Sequence, residues 1–512
     1  MRAKRGTPGR PAGRLLALLA AAGLAVAVVL PFLHPPGSGH TTYYVSRGGD
    51  GSSGRSWQHA WNELGQIRWN LVQPGDLVMI DGGSLACPSN AAEAGLDSAE
   101  ALHPCGMTYR TSLVVASSGR LGAPVTIALS TERGRDGTVV LQGGRTTALP
   151  FCNQRTYRQS GTELPAGIAI RGRTHVVIDG RHRSGIVVRG ARAGVDLLSD
   201  RTSFVTLRNL EISDNGTAER WPTGWRSDGE GVSLAGHDIT LERSLIHDNG
   251  QDEVQDRSTG VPGIGHLPLH DIVIKDSWLY NQRENPLYPG YGFNSGAQAL
   301  PAQDCTHVDG VQIWGGGLHQ ERFTVLGTIF GPLIAQGFYP GDRDRASFDD
   351  VTLTDVLFLD PSEHGVNGDS IASDGTTPSG WKIDRVTSYL SPRPLAGTRS
   401  HGSIDLAGSG HSVTRSIFVN GYFAMPAAFR TATGNLFWGG DPVPGGARAD
   451  PRFVGPEPGT GPASFVALTT MVLQPRCAPC LGRGATLVGV ASLLARIDRL
   501  DAYAGPEVAA AH

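Results

Sequence analysis

The stretch that decides the fold is Val205-Thr-Leu-Arg-Asn-Leu-Glu-Ile212, in which two short alternating runs are separated by two residues. The same pattern of apolar, any, apolar, any, any, small or apolar, any, apolar returns five times. The copies begin at Ile239, Ile272, Phe323, Val351 and Trp381, so successive starts are 34, 33, 51, 28 and 30 residues apart. A repeated unit of this kind is typical of a solenoid.

Alternation with a period of two indicates a β-strand with one buried face. The two-residue break shifts the phase, so the chain is expected to turn a corner between two strands. One coil cannot bury its apolar face alone, and the coils must therefore stack on one another. The unequal spacing indicates loops of different length inserted at fixed corners. Amphipathic stretches long enough to alternate with the strands as helices are not found between the copies.

The composition agrees with a turn-rich β protein. Glycine accounts for 70 of the 512 residues, and charged residues make up only 18%. The formal net charge of −3 gives no electrostatic basis for nucleic-acid binding. A solenoid grows along one axis, so the length does not require several globular domains.

The N-terminus resembles an export signal. Five basic residues and no acidic ones occur before residue 15, and Leu15 to Leu33 is a run of 19 residues without a charge. An uncleaved signal anchor and a cleaved signal peptide both fit, since Ala25-Val26-Ala27 offers a cleavage site and the run is just long enough to span a bilayer. Either alternative predicts a chain exported beyond residue 34, membrane-anchored or secreted.

An even number of cysteines in an exported chain favours disulfides. Cys87 with Cys105 and Cys477 with Cys480 would close local loops, which leaves Cys152 with Cys305 by elimination. A zinc site at the Cys477-x-x-Cys480 pair is the alternative, but two further ligands are not found nearby.

The predicted organisation is a basic stub and signal segment over residues 1–34, a β-helix over 41–455 and a closing segment over 456–512. A short amphipathic helix is expected from Ser56 to Ile67, capping the open end of the core. Another helix is expected from Val488 to Tyr503, either packed on the far end or loose.

Three sequence features carry a resemblance to a known group of proteins. They are Tyr43-Tyr-Val-Ser46 followed by a Gly/Asp turn, Pro74-Gly-Asp76 before an apolar strand, and coils that close in Asp-Asn-Gly. Over residues 41–455 the chain resembles the pectate-lyase-like right-handed parallel β-helix proteins. The resemblance implies the fold and an action on polysaccharides. It does not fix the activity, because that superfamily holds lyases, hydrolases, epimerases and non-catalytic surface proteins.

A column of polar residues is predicted on the strand that precedes each copy of the element. An apolar residue expected to face the core is followed each time by a polar one, which should face outward. Stacking would place these polar residues about 4.8 Å apart. The column consists of Asp196, Ser233, Gln255, Gln312, Gln336, Asn367 and Asp405.

Three acidic residues, Glu230, Asp252 and Asp309, lie three positions before column residues in consecutive coils. His307 precedes Asp309, and His364 lies near Asn367. The catalytic centre is therefore predicted at Asp252, His307 and Asp309. Arg283 is a candidate base or the group that neutralises a substrate carboxylate.

The subsites are predicted at Gln255, Gln312, Gln336, Asn367 and Asp405, with Tyr339 to stack on sugar rings. Asparagine follows the second strand at Asn215, Asn249 and Asn281, where stacked amides would form a structural ladder.

The resulting hypothesis is an exported, monomeric, carbohydrate-directed β-helix, most like a lyase that cleaves an acidic polysaccharide. A non-catalytic protein that binds glycan or cell-wall polymer is the first alternative. A glycoside hydrolase using paired carboxylates is the second. Calcium held by Glu230, Asp252 and Asp309 is a further possibility. The remaining alternative is that the polar column is only the solvated face of a β-sheet, with no binding or catalytic role.

Overall fold

The repeat elements form the sides of a parallel β-helix. The computed structural model describes residues 40–85, 105–143, 145–148, 155–158, 164–221, 224–250, 252–256, 267–281, 303–304, 308–313, 318–332, 334–340, 347–361, 364–368, 377–390, 402–421, 423–424, 428–439, 446–453 and 465–503. Within these ranges, three sheets of parallel strands contain most of the regular structure. Most coils contribute one strand to each sheet, which confirms the predicted parallel β-helix; the right hand of the coil stays a prediction.

Sheet 1 holds the first half of each repeat element. Its strands are Thr42–Val45, Leu77–Ile80, Val125–Leu129, Thr174–Asp179, Ser203–Arg208, His237–Glu242, His270–Lys275, His319–Leu326, Ser347–Asp349, Thr352–Thr354, Lys382–Asp384, His411–Thr414 and Phe429–Thr433.

Sheet 2 holds the second half of each element. Its strands are Met107–Tyr109, Val139–Gln142, Ile186–Arg189, Leu210–Ser213, Leu245–His247, Trp278–Tyr280, Ile329–Phe330, Leu357–Leu359, Thr387–Tyr389, Ile417–Val419, Leu436–Trp438 and Ala447–Arg448.

Sheet 3 carries the predicted polar column. Its strands are Leu113–Val114, Ala166–Ala169, Ala193–Asp196, Val232–Leu234, Val254–Asp256, Val311–Ile313, Gln336–Pro340, His364–Gly368, Gly402–Leu406 and Phe423–Ala424. Outside the three sheets, Thr217–Trp221, Gly224–Asp228 and Gln303–Asp304 form a small sheet, and Arg145–Ala148 pairs with Arg155–Arg158.

The corner between sheets 1 and 2 is made by one residue with left-handed backbone. This residue occupies the two-residue break of the repeat, and its φ is 59° at Asn209, 50° at Arg243 and 50° at Asp276. The same position is filled in later coils by Gly327, Asp355, Arg385, Arg415 and Gly434, all with positive φ. A left-handed residue bends the chain from one sheet into the next, so that Leu207 and Leu210, on either side of the corner, both point into the core.

The expected capping helix near the N-terminus is not α-helical. Residues 56–67 contain bends and one 3-10 turn, Leu64–Gln66. A second 3-10 turn, Trp69–Leu71, follows directly after them. The expected apolar contacts are nevertheless present in part, since Trp61 and Leu64 are fully buried and join the core, with Trp61 stacked on Tyr43.

The C-terminal segment, residues 465–503, packs along the outer face of sheet 2. It contains the α-helices Phe465–Thr469 and Val490–Tyr503 and the 3-10 turn Ala478–Cys480. Its residues Leu468, Leu493 and Ile497 form a second apolar cluster with outward-facing sheet residues such as Trp278 and Leu357. The terminal helix is therefore neither loose nor confined to the far end of the solenoid.

Cys477 and Cys480 form the predicted disulfide, with their Cα atoms 5.1 Å apart. Cys105 is also disulfide-bonded. Cys87, Cys152 and Cys305 lie outside the described residues, so their pairing stays a prediction. The predicted signal segment lies outside them too. None of the described helices is long and apolar enough to cross a membrane.

Candidate functional site

The polar column on sheet 3 exists with one change of register. Asp196 pairs with Ser233, Ser233 with Gln255, and Gln255 with Gln312. Gln312 then pairs with Tyr339 instead of Gln336. At the other end of the column, Asn367 pairs with Asp405.

Gln336 belongs to a second line of residues, three positions earlier in each coil. It pairs with His364, and its backbone N–H bonds to the side chain of Asp309. The prediction that Gln336 follows Gln312 in the column is therefore wrong. The reason is that Phe338, and not Ala335, occupies the core position of this strand; Phe338 is fully buried against Phe323.

The second line, which we call the acidic line, consists of Glu230, Asp252, Asp309, Gln336 and His364. Two of its carboxylates join consecutive coils. Asp252 accepts the backbone N–H of Asp309 through Oδ1 at 2.8 Å, and Asp309 accepts that of Gln336 through Oδ1 at 2.9 Å. The predicted neighbours Asp252 and Asp309 are thus brought together.

The column and the acidic line are connected by side-chain hydrogen bonds. The amide nitrogen of Gln255 donates to Asp252 Oδ2 at 2.5 Å and to Gln312 Oε1 at 3.0 Å. Farther along the solenoid, Asn367 Nδ2 donates to Gln336 Oε1 at 2.7 Å. Both oxygens of Asp252 are therefore held by N–H donors.

Ser233 makes an equivalent connection one coil earlier, because its hydroxyl donates to Glu230 Oε2 at 2.7 Å. Asp196 is held by Arg171, whose Nε lies 2.8 Å from Asp196 Oδ2. The strands of sheet 3 themselves contain no lysine or arginine.

The outward-facing side chains are buried, although they point away from the core. Val254 and Val311 pack inside, so Gln255 and Gln312 must point outward. Yet Gln255 is 1% and Gln312 2% exposed, and Asp309 is 0% exposed. This excludes an ordinary solvated sheet face.

Burial decreases toward the C-terminal end of the column. His364 and Asn367 are each 9% exposed, and Tyr339 and Asp405 are half-buried. From Ser233 onward, the most exposed residues of the column are therefore Tyr339 and Asp405. His307 and Arg283 lie outside the described residues, so their predicted roles stay predictions.

The predicted asparagine ladder is present between Asn215 and Asn249. Asn249 Oδ1 accepts both the backbone N–H and the amide nitrogen of Asn215, at 3.1 and 3.0 Å. Its own amide nitrogen donates to Ile212 O at 3.1 Å and to Glu253 Oε2 at 2.5 Å. Glu253 is fully buried, and this burial raises the pKa of its carboxyl well above the ordinary value. Glu253, which lies beside Asp252, was not predicted as a site residue.

A different group of side chains, also not predicted, could hold a metal ion. Among the described residues, His237, Asp238 and His270 are the group of three whose ligand atoms all lie within 4.8 Å of one another. The signal in the sequence is the tripeptide His-Asp-Ile, repeated at 237–239 and 270–272.

The residues predicted to hold calcium, Glu230, Asp252 and Asp309, do not form such a group of three ligands. A calcium ion bound by these residues would require their hydrogen-bonded carboxylates to rearrange. The calcium site therefore stays a prediction.

No protein-family description matches the chain, and no curated protein matches its sequence. Solved structures with a similar fold include pectate lyase Pel9A, at 13% identity over 88% of this chain and 96% of that one, with a TM-score of 0.42. A rhamnogalacturonan lyase is 11% identical over 88% and 96%, with a TM-score of 0.39. The GH136 lacto-N-biosidase from Eubacterium ramulus is 13% identical over 80% and 66%, with a TM-score of 0.37. The activities in these names belong to those proteins.

Proposed function

We propose that this protein cleaves a carbohydrate polymer that lies along the outer face of sheet 3, with Asp252 and Asp309 at the reacting centre. The observation that carries the proposal is the pair of carboxylates contributed by neighbouring coils and linked to a line of amides. Amides and carboxylates are suited to sugar hydroxyls, and a linear series of them suits a linear polymer.

The described residues include the two carboxylates that hydrolysis needs, Asp252 and Asp309. Elimination from an acidic sugar needs a base and a group that neutralises the sugar carboxylate. The candidates for these roles, His307 and Arg283, lie outside the described residues. A lyase acting on an acidic polysaccharide is the second candidate.

Paired carboxylates supply what hydrolysis requires. Neighbouring coils are about 4.8 Å apart, close to the separation of about 5–5.5 Å found in enzymes that retain the anomeric configuration. Two N–H donors fix the position of the Asp252 carboxylate, which we assign as the nucleophile that attacks the anomeric carbon. Asp309 would protonate the glycosidic oxygen and then take a proton from the water that releases the sugar.

The burial of the acid pair limits how the polymer could reach it. The more exposed residues Tyr339, Asn367 and Asp405 offer the point of entry, with Tyr339 placed to stack on a sugar ring. The polymer would then extend toward Gln312 and Gln255, and the chain segments that bury these two side chains would have to move. A purely structural role for the buried acids is the alternative that the experiment must separate from catalysis.

The test combines a panel of neutral and acidic polysaccharides with two measurements, new reducing ends and absorbance of unsaturated uronates. Hydrolysis gives the first signal alone, and elimination gives both. Asp309→Asn should lower activity roughly a hundredfold or more while its circular dichroism spectrum stays that of the wild-type protein, and a changed spectrum would show a structural role instead. Asp384→Asn is the control, because Asp384 pairs with Arg415 on sheet 1. Equal activity of both variants, or binding of glycans without any product, would contradict the proposal.

We also propose that the protein works outside the cytoplasmic membrane, as the N-terminal segment predicts. A fusion of residues 1–40 to a reporter that is active only after export tests this proposal. Loss of export on replacing the basic residues before Leu15 and the apolar run would support it, and a reporter that stays in the cytoplasm would contradict it.

A further inference from the structure

A pair of histidines lies at the start of two neighbouring strands of sheet 1. His237 and His270 are in register, and their rings are stacked, with centroids 4.7 Å apart and planes at 11°. Their side chains are 31% and 30% exposed. The pair is therefore reachable from solvent, unlike the acidic line on sheet 3.

Each histidine is oriented by the aspartate that follows it. His237 Nδ1 lies 2.7 Å from Asp238 Oδ2, and His270 Nδ1 lies 2.7 Å from Asp271 Oδ2. Both aspartates have left-handed backbone, with φ of 54° and 56°, a conformation that aspartate tolerates better than most residues. Nδ1 of His237 and the carboxylate of Asp238 already lie in contact, so both can bind one ion if it takes the place of the hydrogen between them.

The two aspartates differ in what else they contact. Asp271 accepts two hydrogen bonds from Arg322, both at 2.8 Å, and the contact with Arg322 lowers its pKa to about 2. Asp271 is therefore already engaged in an ion pair with the guanidinium group of Arg322. Asp238 carries no such ion pair with an arginine among the described contacts, and its carboxylate is 35% exposed.

We propose that His237, Asp238 and His270 bind a divalent transition-metal ion of the zinc class. Two imidazoles and one carboxylate are ligands that Zn²⁺ accepts, and solvent would fill the remaining position. This site is independent of the proposed carbohydrate cleavage.

The geometry needs a modest adjustment to hold an ion. The three ligand atoms lie within 4.8 Å of one another, whereas two ligands of a tetrahedral Zn²⁺ lie about 3.4 Å apart. Rotation of two partly exposed rings can provide this closure. The bound ion would then cross-link the coil of His237 to the coil of His270.

One positive charge opposes the ion. Arg322 Nη2 lies 3.3 Å from His270 Nδ1, and Arg322 also pairs with Glu321. Replacing Arg322 by glutamine removes a repelling charge and releases Asp271 as a further ligand. The variant Arg322→Gln should therefore bind the ion more tightly than the wild-type protein.

The experiment is titration of the untagged, metal-free full-length protein with Zn²⁺ in a calorimeter, and with Co²⁺ followed by its visible spectrum. We expect one ion per chain and a rise in melting temperature that a chelator reverses. His237→Gln and His270→Gln should each weaken binding roughly tenfold or more.

His59→Gln is the matched control, because His59 Nδ1 lies 2.7 Å from Asp50 Oδ2 but belongs to no group of three ligands among the described residues. The control should bind like the wild-type protein. Binding that is absent in the wild-type protein, or unchanged in both His237→Gln and His270→Gln, would overturn the proposal.

Discussion

Replacing Asn249 by alanine tests whether the asparagine ladder holds neighbouring coils together. Asn249 makes four hydrogen bonds, to the backbone and side chain of Asn215, to Ile212 O and to Glu253. Its amide is 2% exposed, so water cannot easily replace these bonds. The variant would leave the Asn215 N–H and one Glu253 oxygen buried without their present partners.

The expected cost follows from those two groups. A buried polar group that loses its partner costs about 1–3 kcal/mol, so the free energy of unfolding should fall by about 2–6 kcal/mol. The side-chain nitrogen of Asn215 adds little, because it keeps its bonds to Val188 O and Ser213 O.

Urea unfolding followed by far-ultraviolet circular dichroism measures this change. The midpoint should move to lower urea while the slope stays the same, since the surface exposed on unfolding hardly changes. Asn62→Ala is the control; Asn62 is partly exposed near the N-terminus, and its loss should change stability by less than about 0.5 kcal/mol. If Asn249→Ala unfolds at the same midpoint as Asn62→Ala, the ladder does not contribute to stability and the reasoning fails.

Three further changes test the packing and the buried charge. Folding raises the pKa of Glu253, so the folded protein binds a proton on this carboxyl more tightly than the unfolded chain does. The free energy of unfolding should therefore decline as pH rises from about 4.3. Glu253→Gln should make this decline shallower in unfolding midpoints measured from pH 4 to 8, and an unchanged pH dependence would refute the prediction. Trp381→Ala should cost about 3–5 kcal/mol, because Trp381 is 0% exposed and donates to Phe348 O at 2.8 Å; the 46% exposed Trp438, changed to alanine, should cost far less. Replacing Cys477 and Cys480 together by alanine should cost only about 2 kcal/mol, since the loop they close is short; loss of folding would show that the disulfide does more.

The fold was predictable because its signal is local and repeated. The phase shift inside Val205–Ile212 predicted a corner, and the structure places a left-handed residue at Asn209. The identity of that residue was not predictable, because asparagine, arginine, aspartate and glycine all occupy the position in different coils. The backbone requirement is common to the coils, but several side chains satisfy it.

The site was predictable only in part, because the sequence around Gln336 is compatible with two strand registers. Ala335 before Gln336 imitates the pattern of Val311 before Gln312, but Phe338 buries more apolar surface and determines the register. Burial of the column could not be deduced either, since alternation gives the direction of a side chain and not what covers it. The position of the C-terminal segment is likewise a long-range contact that leaves no periodic pattern in the sequence.

The C-terminal segment changes how the solenoid can come apart. In an array where each coil contacts only its neighbours, fraying can start at either end and spread step by step. Here the segment runs back over many coils: the Gly484 N–H bonds to Arg415 O at 2.6 Å, Arg496 pairs with Asp276 at 2.9 Å and Asp501 with Arg243 at 2.8 Å. Opening one of these coils therefore also breaks a contact of this segment, so we expect distant coils to unfold more cooperatively than in an array of nearest-neighbour contacts.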